Sequence, residues 1–230
     1  MNHPIVSSLD PILLAGGGEF RHADLIVAQT WASRAVAADG GATELIRHGV
    51  IPEAVIGDFD SLPEETRAAL PPQALHHIAE QDSTDFDKCL RNISAPLILG
   101  LGFLGARVDH QLSVFNRLAA RPDKPVVLIG REDVVFHCPP KLRLVLKPGT
   151  RVSLFPMRPV SGQSAGLRWP IDGLDFAPGA RAGTSNEAAE ARVDLEMEGT
   201  GMLVILPRAA LASAVTAVQA AADARWTALA

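Results

Sequence analysis

The chain has 230 residues, 47% of them hydrophobic and 20% charged, with a formal net charge of −5. That length can bury a substantial core in one large or two small domains, and the composition excludes a disordered chain. The acidic balance excludes a general nucleic-acid binder, which needs a basic face for phosphates, but admits a nucleotide carried in with a divalent ion.

Two cysteines, Cys89 and Cys138, do not make a disulfide framework. The opening "MNHPIVSSLDPILLAGGG" lacks the basic region and long apolar core of a signal peptide. No apolar run reaches the ~18–20 residues of a membrane span. A cytoplasmic protein with neither membrane nor nucleic-acid partners is expected.

In chain order, the first half alternates short apolar runs with helical patterns. Strands are predicted at "PILLAG" (11–16), "RAVAAD" (34–39), "EAVIGD" (53–58), "APLILG" (95–100) and "KPVVLIG" (124–130). Amphipathic stretches at 42–48, 63–70, 84–92 and 109–120 fall between them. Wholly apolar strands alternating with helices predict a parallel, Rossmann-like α/β sheet covered on both faces. Ligands of such sheets bind beyond the carboxyl ends of the strands. "AGGGEF", "ADGGAT", "IGDFDS" and "LGLGFLGARVDH" each follow an apolar run directly, so glycines and aspartates gather at that edge.

Near residue 135 the pattern changes. "KLRLVLKPG", "RVSLFPM", "AGLRWPI", "ARVDLEM" and "GMLVILP" are short runs separated by Gly, Pro and Ser. They predict an antiparallel β-sandwich or barrel. The alanine-rich 208–230 predicts a C-terminal helix, packed on its own subunit in preference to clasping a partner. The expected domains are 1–135, 136–207 and the helix 208–230.

The acids carry the chemistry. In "EAVIGDFDSL", Asp58 and Asp60 lie two residues apart. If the strand geometry continues, both carboxylates point to one side and repel unless a cation sits between them. A hard divalent ion such as Mg2+ fits such a pair; a plain turn with Asp60 capping the next helix is the competing reading. In "QDSTDFDKCL", Asp85 starts a helix whose positive end attracts phosphate. Lys88, one turn on, lies on the same face and within reach of a phosphate oxygen. Metal-holding carboxylates beside a lysine resemble an apparatus for phosphoryl transfer. The "AGGGEF" and "ADGGAT" turns lack both the GK[ST] and the GxGxxG fingerprints, so strand-to-helix turns and nucleotide contacts stay open there. In "GARVDH", Arg107 is a candidate phosphate ligand or a surface ion pair, and His110 reads as a capping or core histidine.

Together "ADGGA" (38–42), "GDFDS" (57–61), "QDSTDFDKCL" (81–90), "LGARVDHQLSVFNRL" (104–118) and "GTSN" (183–186) resemble the thiamine pyrophosphokinase (thiamine diphosphokinase) family over about residues 12–207. The resemblance implies an N-terminal α/β domain that binds ATP and a C-terminal sandwich that helps bind thiamine. It implies a homodimer with its active site at the subunit interface, and transfer of a pyrophosphoryl group from ATP to the thiamine hydroxyethyl oxygen. By resemblance, Asp58, Asp60 and Asp85 hold the metal, and Gln81 and Lys88 lie on the phosphate side. Gly16, Gly17, Asp39 and Gly40 border the nucleotide, as do Arg107 and Asp109. Ser185 and Asn186 meet thiamine.

One departure matters. Animal-type members place a tryptophan late in the sandwich, where this chain has Leu203. The chain has no tyrosine, so stacking falls to Trp169, Trp31, Trp226 or a phenylalanine, with Trp169 first and a core role for it equally open. A pyrophosphokinase with another acceptor alcohol, such as a hydroxymethylpterin, and a non-catalytic nucleotide sensor are the competing functions.

Overall fold

The computed structural model describes residues 3–105, 107–221 and 225–227. The chain divides into two units, Met1–Val114 with Leu128–Arg131, and Phe115–Val127 with Glu132–Ala230.

In chain order the first elements are β1 (Val6–Ser7), β2 (Ile12–Ala15), α1 (His22–Gln29), β3 (Arg34–Ala38), α2 (Gly41–Arg47), β4 (Ala54–Gly57) and α3 (Glu64–Ala68). Then come β5 (Leu75–His77), α4 (Asp85–Asn92), β6 (Ile93–Ser94), β7 (Ile98–Leu101), α5 (Val108–Ala120) and β8 (Val126–Ile129). Strands β7, β2, β3, β4 and β5 lie side by side in that order, all parallel. Every residue of β2, β4 and β7 is buried, as expected of strands covered on both faces. β1 and β6 form a separate two-stranded parallel pair.

The strand order places a switch point between β2 and β7. From β2 the chain steps outward through β3, β4 and β5, then returns to the other side of β2. A crevice opens at the carboxyl ends of the strands where the direction reverses. Two of the three glycines after β2 meet the end of β7 there: Gly16 N–H bonds Leu101 O (2.8 Å) and Gly18 N–H bonds Gly102 O (3.0 Å).

The second unit holds β9 (Asp133–His137), β10 (Lys141–Val145), β11 (Arg151–Pro156), β12 (Gly162–Ala165), β13 (Gly183–Glu187), β14 (Arg192–Met197), β15 (Met202–Pro207) and α6 (Leu211–Ala220). One antiparallel sheet runs β13-β11-β15-β9 and a second β10-β14-β12. Period-two patterning organises the second sheet: Leu142, Leu144, Val193, Leu195 and Met197 are buried, while Lys141, Arg143 and Glu196 alternate outward.

The expected fold class holds: a parallel α/β sheet, antiparallel sheets and a C-terminal helix. Two local expectations shift. "AGLRWPI" is not a strand; the strand is Gly162–Ala165, and Leu167 contributes only an isolated bridge to Ala188. The C-terminal helix is shorter than 208–230: a 3-10 turn at Arg208–Ala210 leads into α6, which ends at Ala220, and 225–227 are not helical. Residues 222–224 and 228–230 of that expected helix lie outside the described residues. The helix packs on β10 and β15 of its own unit, burying Ala214, Val215, Ala217 and Val218.

Candidate active site

The carboxyl edge of the parallel sheet gathers the acids. Asp39 follows β3, Asp58 follows the neighbouring β4, and Asp85 opens α4. Three carboxylate oxygens, one each from Asp39, Asp58 and Asp60, lie within 4.8 Å of one another.

The backbone brings them together by bending. β4 stops at Gly57, and Phe59, between the two acids, has φ 65°. The extended alternation expected for Asp58 and Asp60 therefore fails, and a turn converges them instead, with Asp58 Oδ1 facing the Asp60 amide at 3.4 Å. Asp60 caps no helix: α3 starts at Glu64 after Pro63, and Asp60 Oδ1 accepts from the Ser61 hydroxyl (2.9 Å). Asp39 is also left-handed, at φ 41°. Two non-glycine residues in that region flank one cluster, strain of a kind that collects at functional sites. Gly57 makes room for it: a Cβ there would lie 2.8 Å from Asp39 Cβ and 3.1 Å from Asp85 Oδ1.

Asp39 is 2% exposed. Its Oδ2 accepts the Ser61 amide (3.0 Å), and its Oδ1 is buried without a hydrogen-bond partner. Burial, with Asp85 and Asp60 nearby, pushes its carboxyl up to about 6 against the Ser61 hydrogen bond. Asp58 goes the other way, held below the ordinary carboxylate value chiefly by the Lys88 ammonium. Asp85 is raised by burial, partly offset by the same lysine. Lys88 Nζ bonds Asp58 Oδ2 (2.8 Å) and Asp85 Oδ1 (3.0 Å), and Gln81 Nε2 adds a bond to Asp58 Oδ2 (3.2 Å). Burial opposes the lysine's charge, and the two carboxylate hydrogen bonds outweigh it, so Lys88 stays cationic.

A divalent ion fits this set. Hard carboxylate oxygens converge, one of them unsatisfied and buried, and a divalent ion among them would relieve their repulsion. Asp39 thus joins Asp58 and Asp60, a grouping the sequence reading missed by assigning Asp39 to the nucleotide alone. The available signal was positional: "ADGG" and "GDFD" end adjacent parallel strands. Asp85 faces Lys88 instead, and Lys88 points into carboxylates.

Of the glycines, Gly16 is tightly packed, its Cβ position lying 2.7 Å from the Phe103 ring. Gly17 has room, with nothing closer than 3.8 Å, and a Cβ on Gly40 would sit 3.2 Å from Ser61 O. Arg107 and Asp109 form an exposed two-point ion pair at 2.7 and 3.2 Å, which holds Asp109 down at about 2. His110 is exposed in the first turn of α5, correcting the capping or core reading.

The second unit brings Ser185, Asn186 and Trp169 together. Asn186 is buried, and its side chain is used by backbone: Nδ2 donates to Trp169 O (2.7 Å), while Oδ1 accepts from Trp169 N (3.2 Å) and Glu187 N (2.8 Å). Trp169 is 53% exposed, with the Arg168 guanidinium 5.0 Å from its ring centre. It is therefore not a core tryptophan. Ser185 is exposed at φ 61°, its amide bonded to Ser153 Oγ (3.0 Å). Leu203 is buried, and Trp226 Nε1 donates to Cys138 O (2.9 Å).

Comparison with known proteins supplies the relatives. The family described as thiamin pyrophosphokinase, catalytic domain, matches residues 27–128. Thiamine pyrophosphokinase 1 of Arabidopsis thaliana is 27% identical over 172 residues, covering 66% of this chain but 64% of the relative, just under two thirds of its length. Thiamine pyrophosphokinase of Bacillus subtilis (strain 168) is 27% identical over 169 residues, 68% of this chain and 79% of the relative. The solved thiamin pyrophosphokinase from Candida albicans superimposes with a TM-score of 0.71 at 19% identity, over 86% of this chain and 89% of that one, a likeness of fold. With its acids converging at the sheet edge where those motifs lie, the chain is similar to thiamine pyrophosphokinases in sequence over residues 27–128 and shares their fold.

Proposed function

We propose that this protein is a thiamine diphosphokinase, transferring a pyrophosphoryl group from ATP to the hydroxyethyl oxygen of thiamine. The products are thiamine diphosphate and AMP. The observation that carries the reading is the convergence of Asp39, Asp58 and Asp60 at the switch-point edge of the parallel sheet, within the stretch that matches the thiamin pyrophosphokinase catalytic domain.

In the proposed reaction the alcohol oxygen bonds to the β-phosphorus, and the bond from that phosphorus to the oxygen shared with the α-phosphorus breaks. AMP leaves with the electron pair, and the hydroxyl proton passes to solvent. Asp39, Asp58 and Asp60 would hold Mg2+, which when bound neutralises phosphate charge. The chain's own residues position: Lys88 and Gln81 hold Asp58, Gly57 admits Asp39 and Asp85, and Asn186 fixes the backbone that presents Trp169. Trp169 offers an exposed indole for a thiamine ring, and Ser185 an exposed hydroxyl. We place Gly16, Gly17, Gly40, Arg107 and Asp109 at the nucleotide. The protein is proposed to work as a cytoplasmic homodimer with its active site at the subunit interface. Among the described residues, no helix is long and apolar enough to cross a membrane.

The test is a product assay with purified protein, ATP, Mg2+ and thiamine. Thiamine diphosphate and AMP forming together, and lost with a chelator, is the expected result. ADP with thiamine monophosphate would overturn attack at the β-phosphorus, and no thiamine product would overturn the acceptor.

A further inference from the structure

Lys88 is the largest wholly buried side chain of the first unit and a charged one, at 1% exposure. An ammonium loses several kcal/mol of hydration on burial and persists only where partners replace it. Two of its three donors are taken by carboxylates on different elements, Asp58 after β4 and Asp85 in the first turn of α4. The helix itself sets this up. Thr84 caps α4 by accepting the Asp87 amide (3.3 Å), and Asp85 and Lys88, three residues apart, share a face. Asp58 is split by the arrangement: Oδ2 takes Lys88 and Gln81, leaving Oδ1 facing Asp60. With Nζ held by two carboxylates on a side chain 1% exposed, a phosphate finds at most one donor there.

We propose that Lys88 is a positioning residue and the built-in counter-cation of the acid cluster, holding Asp58 and Asp85 in place, and not a ligand of the substrate phosphates. It fixes which oxygen of Asp58 is free for a divalent ion, and it keeps the four acids from repelling one another before the ion arrives. This rests on reading Asp39, Asp58 and Asp60 as a divalent-ion site.

The experiment compares the wild-type chain with Lys88→Met and Lys88→Gln in three measurements. These are Mn2+ titration followed by electron paramagnetic resonance, thermal melting in EDTA and in saturating Mg2+, and binding of ADP in EDTA. Removing a unit charge from a partly buried site is expected to tighten Mn2+ binding about tenfold or more. The variants should melt lower than wild type in EDTA, recover most of the difference in Mg2+, and bind metal-free ADP as wild type does. Unchanged or weaker Mn2+ binding overturns the counter-cation role. An ADP affinity about tenfold lower, with melting in EDTA unchanged, makes Lys88 a phosphate ligand instead. A wild-type chain that binds no Mn2+ overturns the metal reading itself and this inference with it, whereas Mn2+ binding identical in all three overturns the lysine's role alone. If neither single variant folds, D85N/K88M decides, because it removes one acid along with the lysine. A folded double variant with Mn2+ affinity near wild type supports the role, and one that stays unfolded overturns it.

Discussion

Asp39 and Asp58 are the same residue type at the ends of adjacent strands, yet their environments drive them apart. Asp39 is buried with an unsatisfied oxygen and pushed up to about 6, while Asp58 is held low by Lys88. A site that must accept a divalent ion needs both oxygens ionised, and the bound ion would supply what the protein withholds from Asp39. Asp58→Asn is therefore expected to lower turnover by at least about 100-fold. It should also weaken Mn2+ binding more than Asp85→Asn does, because Asp58 contributes to the cluster and Asp85 mainly to the lysine. Parallel Mn2+ titrations of the two variants check the order, and equal losses would put Asp85 back among the ligands. The sequence showed that Asp58, Asp60 and Asp85 were unusual. It did not show Asp39's part, because proximity across β3 and β4 is a property of the sheet.

The turn after β4 and the cap of α4 are where short elements decide the chemistry. Gly57 is the contact between them: a methyl group there would press on Asp39 Cβ and the Asp85 carboxylate. Gly57→Ala is expected to cost about 1–3 kcal/mol of stability by overpacking. Thermal melting and Mn2+ titration should both register it, since the acids must move apart. In the second unit the corresponding device is β13. Its Asn186 satisfies three backbone groups at once, two of Trp169 and one of Glu187. Asn186→Ala is expected to destabilise by about 1–3 kcal/mol, through buried groups left unpaired. It should also raise KM for thiamine by releasing Trp169. Trp169→Ala should raise that KM roughly three- to tenfold with little change in melting temperature, since the ring is half exposed. Steady-state kinetics beside calorimetry separates the two effects. A Trp169→Ala variant with unaltered KM would remove the indole from the thiamine site.

At the scale of the whole molecule, acid stability is expected to depend on a group remote in sequence from the acid cluster. His137, at the end of β9, is 7% exposed and accepts the Gly201 amide at Nε2 (2.8 Å). Burial, aided by Arg158, lowers its value from 6.5 to about 4. The folded state thus resists a proton that the unfolded chain takes up below 6.5. The stability this contributes is present above 6.5 and is lost as pH falls toward 4, by about 3 kcal/mol across that window. His137→Gln, which keeps an acceptor but not the titration, should flatten the acid limb of melting temperature against pH. A variant curve parallel to wild type would assign the acid loss to carboxylates instead.

The sequence by itself determined the periodicities: apolar runs too continuous for a one-sided sheet before residue 130, and alternating ones after 140. These are local, since burial on two faces or one is written into successive side chains. It also marked the edge where glycines and acids collect, because turns demand those residue types. Only the tertiary structure decided which acids meet. Left-handed residues at Asp39 and Phe59 replaced the extended geometry that spacing alone suggests. Parallel pairing of β3 with β4 brought Asp39 beside Asp58. The three-residue step on α4 turned Lys88 into the acids. Each depends on long-range pairing or on a backbone state that no residue pattern encodes, and each decides where the charge lies.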